Sequence, residues 1–260
     1  MDSFHSFNQH AFNQHAFNQH AFNQHAFNQH AFNKHAKTYH LFAHIQQQIA
    51  ICLVQFLKQK HYAKVLDLGS GSGAVFNALE QQNIVIENFI ALDNSMNMLK
   101  LHPTHSINIQ KISLEHADFE EYVFCDYDLV VSSSSLQWAR DLKSVLEKIA
   151  LFSKEAALAI HTDFSLHEVH EFLGTPSPLR DLKTLKSLIK NAFKHFQIEL
   201  ENKRFSLYFN RKQDCLNYLK KCGLLGGSTL SFKQKKHFFK NMAFEKLSYE
   251  VLLFSGIKRS

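Results

Sequence analysis

The sequence contains few of the residues that mark fibrous, disulfide-bonded or membrane-spanning proteins. Only 3 prolines and 8 glycines occur among 260 residues, and 45% of the chain is hydrophobic, which excludes a fibrous or globally disordered protein. The 4 cysteines form no Cys-x-x-Cys pair, so neither a zinc knuckle nor a disulfide framework is indicated, and we expect a reducing compartment. No apolar run approaches the ~20 residues of a membrane span, and the N-terminus has no apolar signal-peptide segment. These absences predict a cytoplasmic protein with no membrane partner.

The positive charge is concentrated in the second half of the chain. Residues 1–150 carry 10 Lys and Arg against 13 Asp and Glu, a net charge of −3, whereas residues 151–260 carry 19 against 10, a net charge of +9. A basic surface favours an acidic macromolecular partner, because opposite charges raise the rate of association. A lysine-rich surface that is merely solvated explains the same numbers equally well.

A five-residue repeat occupies the N-terminus. Phe-Asn-Gln-His-Ala occurs five times from Phe7 to Ala31, and a sixth copy from Phe32 to Ala36 carries Lys34 in place of Gln. A period of five advances about 140° per repeat on a helix, so the phenylalanines cannot form one buried stripe. The histidines lack the i, i+4 spacing of a helical chelating pair, so no metal is predicted. We expect an exposed, frayed helix or a disordered tail over residues 1–31, and one domain over residues 32–260.

A short apolar strand leads into three glycines on alternate positions. Residues Val65 to Leu68 are followed by Gly69, Gly71 and Gly73, and a helix is predicted over Ala74 to Gln81. Glycines let the backbone turn tightly and approach a ligand closely, and a helix N-terminus adds N–H groups. The order of strand, glycine loop and helix therefore indicates a nucleotide-binding site.

An acidic residue follows the second predicted strand at the spacing of a ribose-binding carboxylate. The strand covers Ile84 to Leu92, and Asp93 comes twenty residues after Gly73. A carboxylate there can accept hydrogen bonds from both ribose hydroxyls. Because the loop reads Gly-x-Gly-x-Gly rather than Gly-x-Gly-x-x-Gly, a nucleoside ligand without phosphates is favoured.

Two further segments bring side chains to the same edge of the sheet. A third strand is predicted over Ile107 to Ile112. Beyond it, Asp118 can accept from an adenine amino group while Phe119 or a neighbour packs on the ring, or Asp118 can cap a turn. A fourth strand, Asp128 to Val131, is followed by four serines and by Trp138, which either walls a pocket or packs in the core. Open α/β sheets bind ligands at the carboxyl ends of their strands.

These motifs, over residues 65–138, resemble those of the S-adenosylmethionine-dependent methyltransferases. The resemblance implies an α/β fold with a doubly wound, mostly parallel seven-strand sheet, an N-terminal covering helix and a helical lid insertion. It also implies S-adenosyl-L-methionine as the cofactor. The residues that it implies as cofactor-binding are Asp67, Gly69, Ser70, Gly71, Gly73, Asp93, Asn94, Asp118, Phe119, Ser133 and Tyr39.

The flanking segments are similar to a narrower group, the malonyl-acyl-carrier-protein O-methyltransferases of biotin synthesis. The likeness is carried by Phe32 to Tyr39, by Ser135 to Trp138, by Phe205 to Phe209 and by Tyr218 to Gly223. It implies methyl transfer to the free carboxylate of malonyl-acyl carrier protein, and that carrier as the partner.

A carboxylate acceptor requires no general base, because it is already ionised at neutral pH. The protein then has to align the acceptor and exclude water. A cation or tyrosine that anchors the substrate carboxylate is expected, and the candidates are Arg140, His161, Arg180 and Tyr39. Arg180 precedes a lid helix predicted over Asp181 to Lys190, where a solvated surface arginine is the alternative.

The predicted lid helix also carries lysines at helical spacing. Since acyl carrier proteins are acidic, we expect this lysine face to bind the carrier, although the same lysines can simply solvate an amphipathic helix. We expect a monomer, and no nucleic-acid partner because no Asn-Pro-Pro-Tyr-like loop follows the fourth strand. Methylation of another small acid or quinone precursor, or a non-catalytic nucleotide-binding role, remains open. The lysines are Lys183, Lys186, Lys190 and Lys194.

Overall fold

A seven-strand sheet organises the described part of the chain, which in this computed structural model comprises residues 44–221, 240–242 and 245–259. The repeat over residues 1–31, the domain start at residue 32 and Tyr39 lie outside the described residues. The strands are β1 His61–Leu68, β2 Val85–Asp93, β3 Ile109–His116, β4 Tyr127–Ser133, β5 Ser153–His161, β6 Phe196–Tyr208 and β7 Lys246–Lys258. The helices are α1 His44–Gln55, α2 Ala74–Gln81, α3 Met96–Leu99, α4 Leu142–Phe152, α5 His167–Leu173, α6 Leu182–Ala192 and α7 Lys212–Lys221, with a 3-10 turn over Leu136–Trp138.

The strand order β3-β2-β1-β4-β5-β7-β6 confirms the predicted doubly wound sheet. Strands β1 to β5 are parallel neighbours, whereas β7 runs antiparallel between β5 and β6. The order reverses between β1 and β4, and open α/β sheets bind their ligands outside the carboxyl ends of the strands at such a point.

Helices cover both faces of the sheet. Val65 and Leu66 are adjacent in β1 and fully buried, yet they belong to separate hydrophobic clusters, because successive side chains of a strand point to opposite faces. One cluster includes α1 and α2, and the other includes α4 and α6. Burial on both faces is typical of parallel sheets and explains the nearly continuous apolar runs of the central strands. Within the described ranges, no helix combines the length and the apolarity needed to cross a bilayer.

The helical insertion between β5 and β6 consists of α5 and α6. The Asp181 side chain caps α6 by accepting from Thr184 N at 2.8 Å, so the helix begins one residue later than predicted and ends at Ala192 instead of Lys190. Leu185 and Ile189 are fully buried in the cluster that contains α4. The helix is therefore a packed part of the layer, with its lysines on the opposite side.

The predicted element boundaries differ in accuracy. Helix α2 covers the residues that were predicted, whereas the third strand was placed too early and is found over Ile109–His116. Its later end follows from pairing with β2, in which His116 lies opposite Asp93.

Candidate cofactor and acceptor site

The three glycines form a tight loop between β1 and α2. Gly69, Gly71 and Gly73 have φ values of +70°, +55° and +91°, a left-handed conformation that residues with a Cβ rarely adopt. The amide groups of Gly69 and Ser70 donate to Leu92 O at 2.8 and 2.9 Å. These bonds attach the loop to the end of β2.

Two of the glycines make room for protein neighbours. A Cβ on Gly69 would lie 2.3 Å from Ser135 Cβ, and one on Gly73 would lie 2.6 Å from Pro103 Cδ. At Gly71 the described residues place only Met98 Cε nearby, at 3.4 Å, which is ordinary van der Waals contact. Of the three glycines, Gly71 is therefore the one at which a ligand could approach the backbone closely.

Asp93 lies at the carboxyl end of β2, beside the glycine loop. Its Oδ2 accepts from Gly71 N at 2.8 Å, and its Oδ1 accepts from Ser95 N at 2.7 Å. Burial raises the pKa of Asp93, and these two N–H groups oppose the rise. Each carboxylate oxygen has a further lone pair, so both can still accept from a pair of ribose hydroxyls.

Asp67, near the end of β1, is a fully buried carboxyl group. Neither of its oxygens has a hydrogen-bond partner among the described residues. Burial, and then the charge of Asp93, raise its pKa well above the usual range. The hydroxyls of Ser70 and Ser133 are likewise buried without a described partner. Unpaired buried polar groups are rare and costly, so this cluster fits a ligand that brings donors and positive charge.

The segment predicted to contact adenine is held by an ion pair. Asp118 Oδ1 accepts from Glu120 N at 2.9 Å, which is the turn-capping role considered as the alternative. The Arg140 guanidinium contacts Glu120 Oε2 through Nε at 2.8 Å and lies 3.6 Å from Asp118 Oδ2 through Nη2. Phe119 is buried in the core with Leu92. Asp118 and Phe119 therefore lie just beyond the carboxyl end of β3, and the charge of Arg140 is already paired.

Four serines at the end of β4 and directly beyond it, Ser132 to Ser135, form what we call the serine loop. The hydroxyls of Ser132 and Ser135 both donate to Leu68 O, at 2.8 and 2.7 Å. Since Leu68 directly precedes Gly69, the serine loop is attached to the start of the glycine loop. Trp138 follows in the 3-10 turn and is half-buried.

The candidates for a carboxylate anchor differ in charge and in partners. Burial lowers the pKa of His161 to about 4, so the ring is neutral at physiological pH. Arg180 is half-buried, and its Nη2 donates to Ala139 O at 2.9 Å and to Arg140 O at 3.3 Å. Among the described residues, no acidic side chain forms an ion pair with Arg180, although Glu120 and Asp141 exert a longer-range attraction. Arg180 therefore brings an unneutralised positive charge to the loop after β4.

Sequence reasoning missed the contacts that hold this edge together. The packing of Ser135 into the space beside Gly69, and the bonds of Ser134 to residues of β5, join segments far apart in the chain. Neither has a local sequence signal, although four consecutive serines at a strand end are unusual enough to mark the loop.

Part of the chain is similar in sequence to known proteins. Residues 66–158 match the model of a methyltransferase domain. The chain is 28% identical over 174 residues to the malonyl-[acyl-carrier protein] O-methyltransferase of Chlorobium luteolum, covering 63% of this chain and 64% of that protein. It is 22% identical over 229 residues to the enzyme of the same name from Bacillus anthracis, covering 79% and 82%. The first of these matches spans slightly less than two thirds of its relative.

Solved structures share the fold at low sequence identity. The YcgJ protein from Bacillus subtilis matches with a TM-score of 0.55 at 14% identity, covering 84% of this chain and 99% of that one. Phosphoethanolamine N-methyltransferase 2 of Haemonchus contortus, whose structure contains S-adenosylhomocysteine, matches with a TM-score of 0.54 at 18% identity, covering 81% and 52%. At these identities the likeness shows the architecture.

Proposed function

We propose that the chain is a methyltransferase that uses S-adenosylmethionine, and that its acceptor is the free carboxylate of malonyl-acyl carrier protein in an early, cytoplasmic step of biotin synthesis. Relatives from Chlorobium luteolum and Bacillus anthracis carry the name of that activity. Their identities to this chain are below 30%.

The cofactor fits the polar groups at the switch point of the sheet. When bound, S-adenosylmethionine supplies an electrophilic methyl group on a positively charged sulfur. Asp93 would accept hydrogen bonds from the ribose hydroxyls, and Asp118 would accept one from the adenine amino group. The unpaired carboxyl of Asp67 suits a cofactor that carries positive charge, since a buried carboxylate needs a cation or donors.

The chemistry of a carboxylate acceptor suits the side chains around the serine loop. The nucleophile is ionised before it binds, so the protein orients it and excludes water without taking up a proton. His161, a buried histidine beside the serine loop, has a low pKa and is a weak base. A hydroxyl acceptor would need a stronger base than this one.

Arg180 is the proposed anchor of the malonyl carboxylate, and its position is the observation that best supports the proposed acceptor. Its guanidinium reaches the carbonyls of the loop after β4 without an ion-pair partner among the described residues. The charge of Arg140, by contrast, is already shared with Glu120 and Asp118. A guanidinium has five N–H donors, and the bonds of Arg180 to the carbonyls of Gln137, Ala139 and Arg140 leave room for a carboxylate.

The carrier protein would bind at the lysine side of α6. Leu185 and Ile189 point into the core, while Lys183 and Lys190 are exposed and Lys186 is half-buried. Lys194 lies two residues beyond the helix end and is also exposed. This face lies in the basic half of the chain and suits an acidic partner.

The acceptor assignment is tested by comparing two forms of the carrier. Malonyl-carrier protein should support release of S-adenosylhomocysteine, whereas acetyl-carrier protein, which lacks the free carboxylate, should not. Equal turnover on both, or on neither while a small acid or quinone precursor is methylated, would reject the proposal. Cofactor binding without turnover on any acceptor would favour a non-catalytic protein.

The anchor is tested with Arg180→Gln. A hydrogen bond to a charged group contributes about 1.5–3 kcal/mol, so the KM for the malonyl acceptor should rise roughly 10- to 100-fold. Arg180→Lys should retain part of the affinity, because it keeps the charge. The control is Arg211→Gln, which removes an exposed arginine paired with Asp214 at 2.9 Å. An unchanged KM for the malonyl acceptor in Arg180→Gln would show that Arg180 does not anchor the carboxylate.

The docking face is tested by charge reversal to Glu at Lys183, Lys186 and Lys190. The KM for malonyl-carrier protein should rise, while activity on malonyl-coenzyme A stays nearly intact. Equal loss on both substrates would reject the docking face. Matched reversals should have little effect at three exposed lysines elsewhere on the surface, Lys60, Lys100 and Lys111.

A further inference from the structure

A buried histidine at the end of β5 is held by two serines from different loops. His161 is the last residue of β5, and only 6% of its surface is exposed. Its Nδ1 lies 3.2 Å from Ser165 Oγ, and its Nε2 lies 3.2 Å from Ser134 Oγ. Both distances are within hydrogen-bond range. The ring therefore connects the serine loop with the turn after β5.

The bonds of Ser165 determine which ring nitrogen carries the proton. Ser165 Oγ donates its one hydrogen to Glu250 O at 2.9 Å and accepts from Glu250 N at 3.1 Å. Toward His161 this hydroxyl can only accept, so Nδ1 must carry a hydrogen. Burial keeps the ring neutral, and a neutral ring with Nδ1–H has a bare Nε2. Nε2 consequently accepts the hydrogen of the Ser134 hydroxyl.

Ser134 depends on such a partner because its backbone is strained. Its φ of 58° lies in the left-handed region, which is uncommon for a residue with a Cβ. Three bonds hold it there: Ser134 N donates to Ala159 O at 2.9 Å, Ser134 O accepts from Gln137 Nε2 at 2.6 Å, and Ser134 Oγ donates to His161. Strained conformations persist where the surroundings hold them, and they cluster at functional sites.

The strain at Ser134 has a consequence for the glycine loop. The next residue, Ser135, packs where a Cβ of Gly69 would be and bonds to Leu68 O at 2.7 Å. A rotation of the Ser134 backbone would therefore shift Ser135 against the loop that is proposed to hold the cofactor. On the other side, Gln137 bonds to Ser134 O and leads to the carbonyls that Arg180 contacts.

We propose that His161, held as its Nδ1–H tautomer, is a positioning residue for methyl transfer that keeps the Ser134 hydroxyl, and with it the serine loop, aligned with the glycine loop. This role differs from the carboxylate anchor considered from the sequence, since a bare ring nitrogen repels a carboxylate. The inference rests on the proposed function in one respect: malonyl-carrier protein is the acceptor whose methylation is measured.

The tautomer is tested on the protein alone, so its failure is distinguishable from failure of the acceptor assignment. Long-range 1H–15N spectra should include a histidine signal with a protonated Nδ1 and a bare Nε2 that does not titrate between about pH 6 and 8, beside a similar signal from buried His102, whose Nδ1 lies 2.8 Å from Pro103 O. Loss of this signal in His161→Gln assigns it. A proton on Nε2, or titration near the ordinary value of about 6.5, would overturn the proposal.

The positioning role is tested by two variants that each keep one half of the ring's bonding. His161→Asn can still donate to Ser165 and leaves Ser134 without an acceptor, whereas the longer His161→Gln can accept from Ser134. We expect kcat for malonyl-carrier protein to fall roughly 10- to 100-fold in His161→Asn, because small misplacements near the reacting atoms have effects of that size. His161→Gln should recover most of the loss.

A double-variant comparison separates positioning from general stability. In a Ser134→Ala background, His161→Asn should lower kcat little further, because the bond that it removes is already absent. Equal loss in the Asn and Gln variants, or fully additive loss with Ser134→Ala, would mean that His161 acts only in the core. A change confined to the KM of the malonyl acceptor would make it an anchor instead.

Discussion

Replacing Gly69 with alanine tests the close contact between the glycine loop and the serine loop. The new Cβ would lie 2.3 Å from Ser135 Cβ and 2.5 Å from Ser135 Oγ, and the backbone would keep its φ of +70°. Left-handed backbone costs a residue with a Cβ about 1–2 kcal/mol, and overpacking adds about 1–3 kcal/mol. We therefore expect the free energy of unfolding to fall by roughly 2–5 kcal/mol.

Gly174→Ala is a matched control for the backbone strain alone. Gly174 has a φ of +62°, and no heavy atom lies within 4 Å of the position that its Cβ would take. The control should lower stability by about 1–2 kcal/mol. The excess in Gly69→Ala then measures the clash with Ser135.

Urea unfolding, followed by the fluorescence of Trp138, the single tryptophan of the chain, measures both variants. Adding Ser135→Gly to Gly69→Ala should restore part of the loss, because that substitution removes the colliding atoms. Equal destabilisation by Gly69→Ala and Gly174→Ala would refute the close packing of the two loops.

Three further results are expected. The pKa of Asp67 is raised in the folded state, so its contribution to stability is fully present below about pH 4 and is lost as the pH rises through the folded pKa. In urea unfolding, Asp67→Asn should therefore lose less stability over this pH range and should be more stable than the original protein at pH 7. An equally steep pH dependence in Asp67→Asn would contradict this. Asp93→Asn should weaken S-adenosylmethionine binding by about 1.5–3 kcal/mol in calorimetry, because an amide cannot accept on both sides as the carboxylate does, and unchanged affinity would exclude Asp93 from the ribose contact. Raising the salt concentration should increase the KM for malonyl-carrier protein but not for malonyl-coenzyme A, and parallel changes would argue against an electrostatic carrier surface.

Local patterns predicted the parts of the fold that depend on neighbours in the chain. The alternation of apolar residues and glycines after Val65 was sufficient to place β1, the loop and α2, because each of these elements is set by nearby residues. Strand β3 was placed incorrectly because it lies at the edge of the sheet and contains polar residues such as Glu115 and His116. Its end is set by pairing with β2, which no short window of sequence reveals.

The candidate site shows the same division. Asp93 and the glycines could be found from spacing, since one βαβ unit sets their relation. The partners of Arg140 and the burial of Arg180 could not be found from spacing, because each depends on a residue from another segment. Glu120 lies 20 positions from Arg140, and Ala139 lies 41 positions from Arg180. The tautomer of His161 likewise depends on Ser165, whose own bonds run to β7.

Mass spectrometry of intact malonyl-carrier protein after incubation with this enzyme and S-adenosylmethionine tests the central claim most directly. The carrier should gain one methyl group that mild base removes, as expected of an ester on the free carboxylate. A carrier whose mass does not change, in a sample that demonstrably binds S-adenosylmethionine, would contradict the assignment of the acceptor.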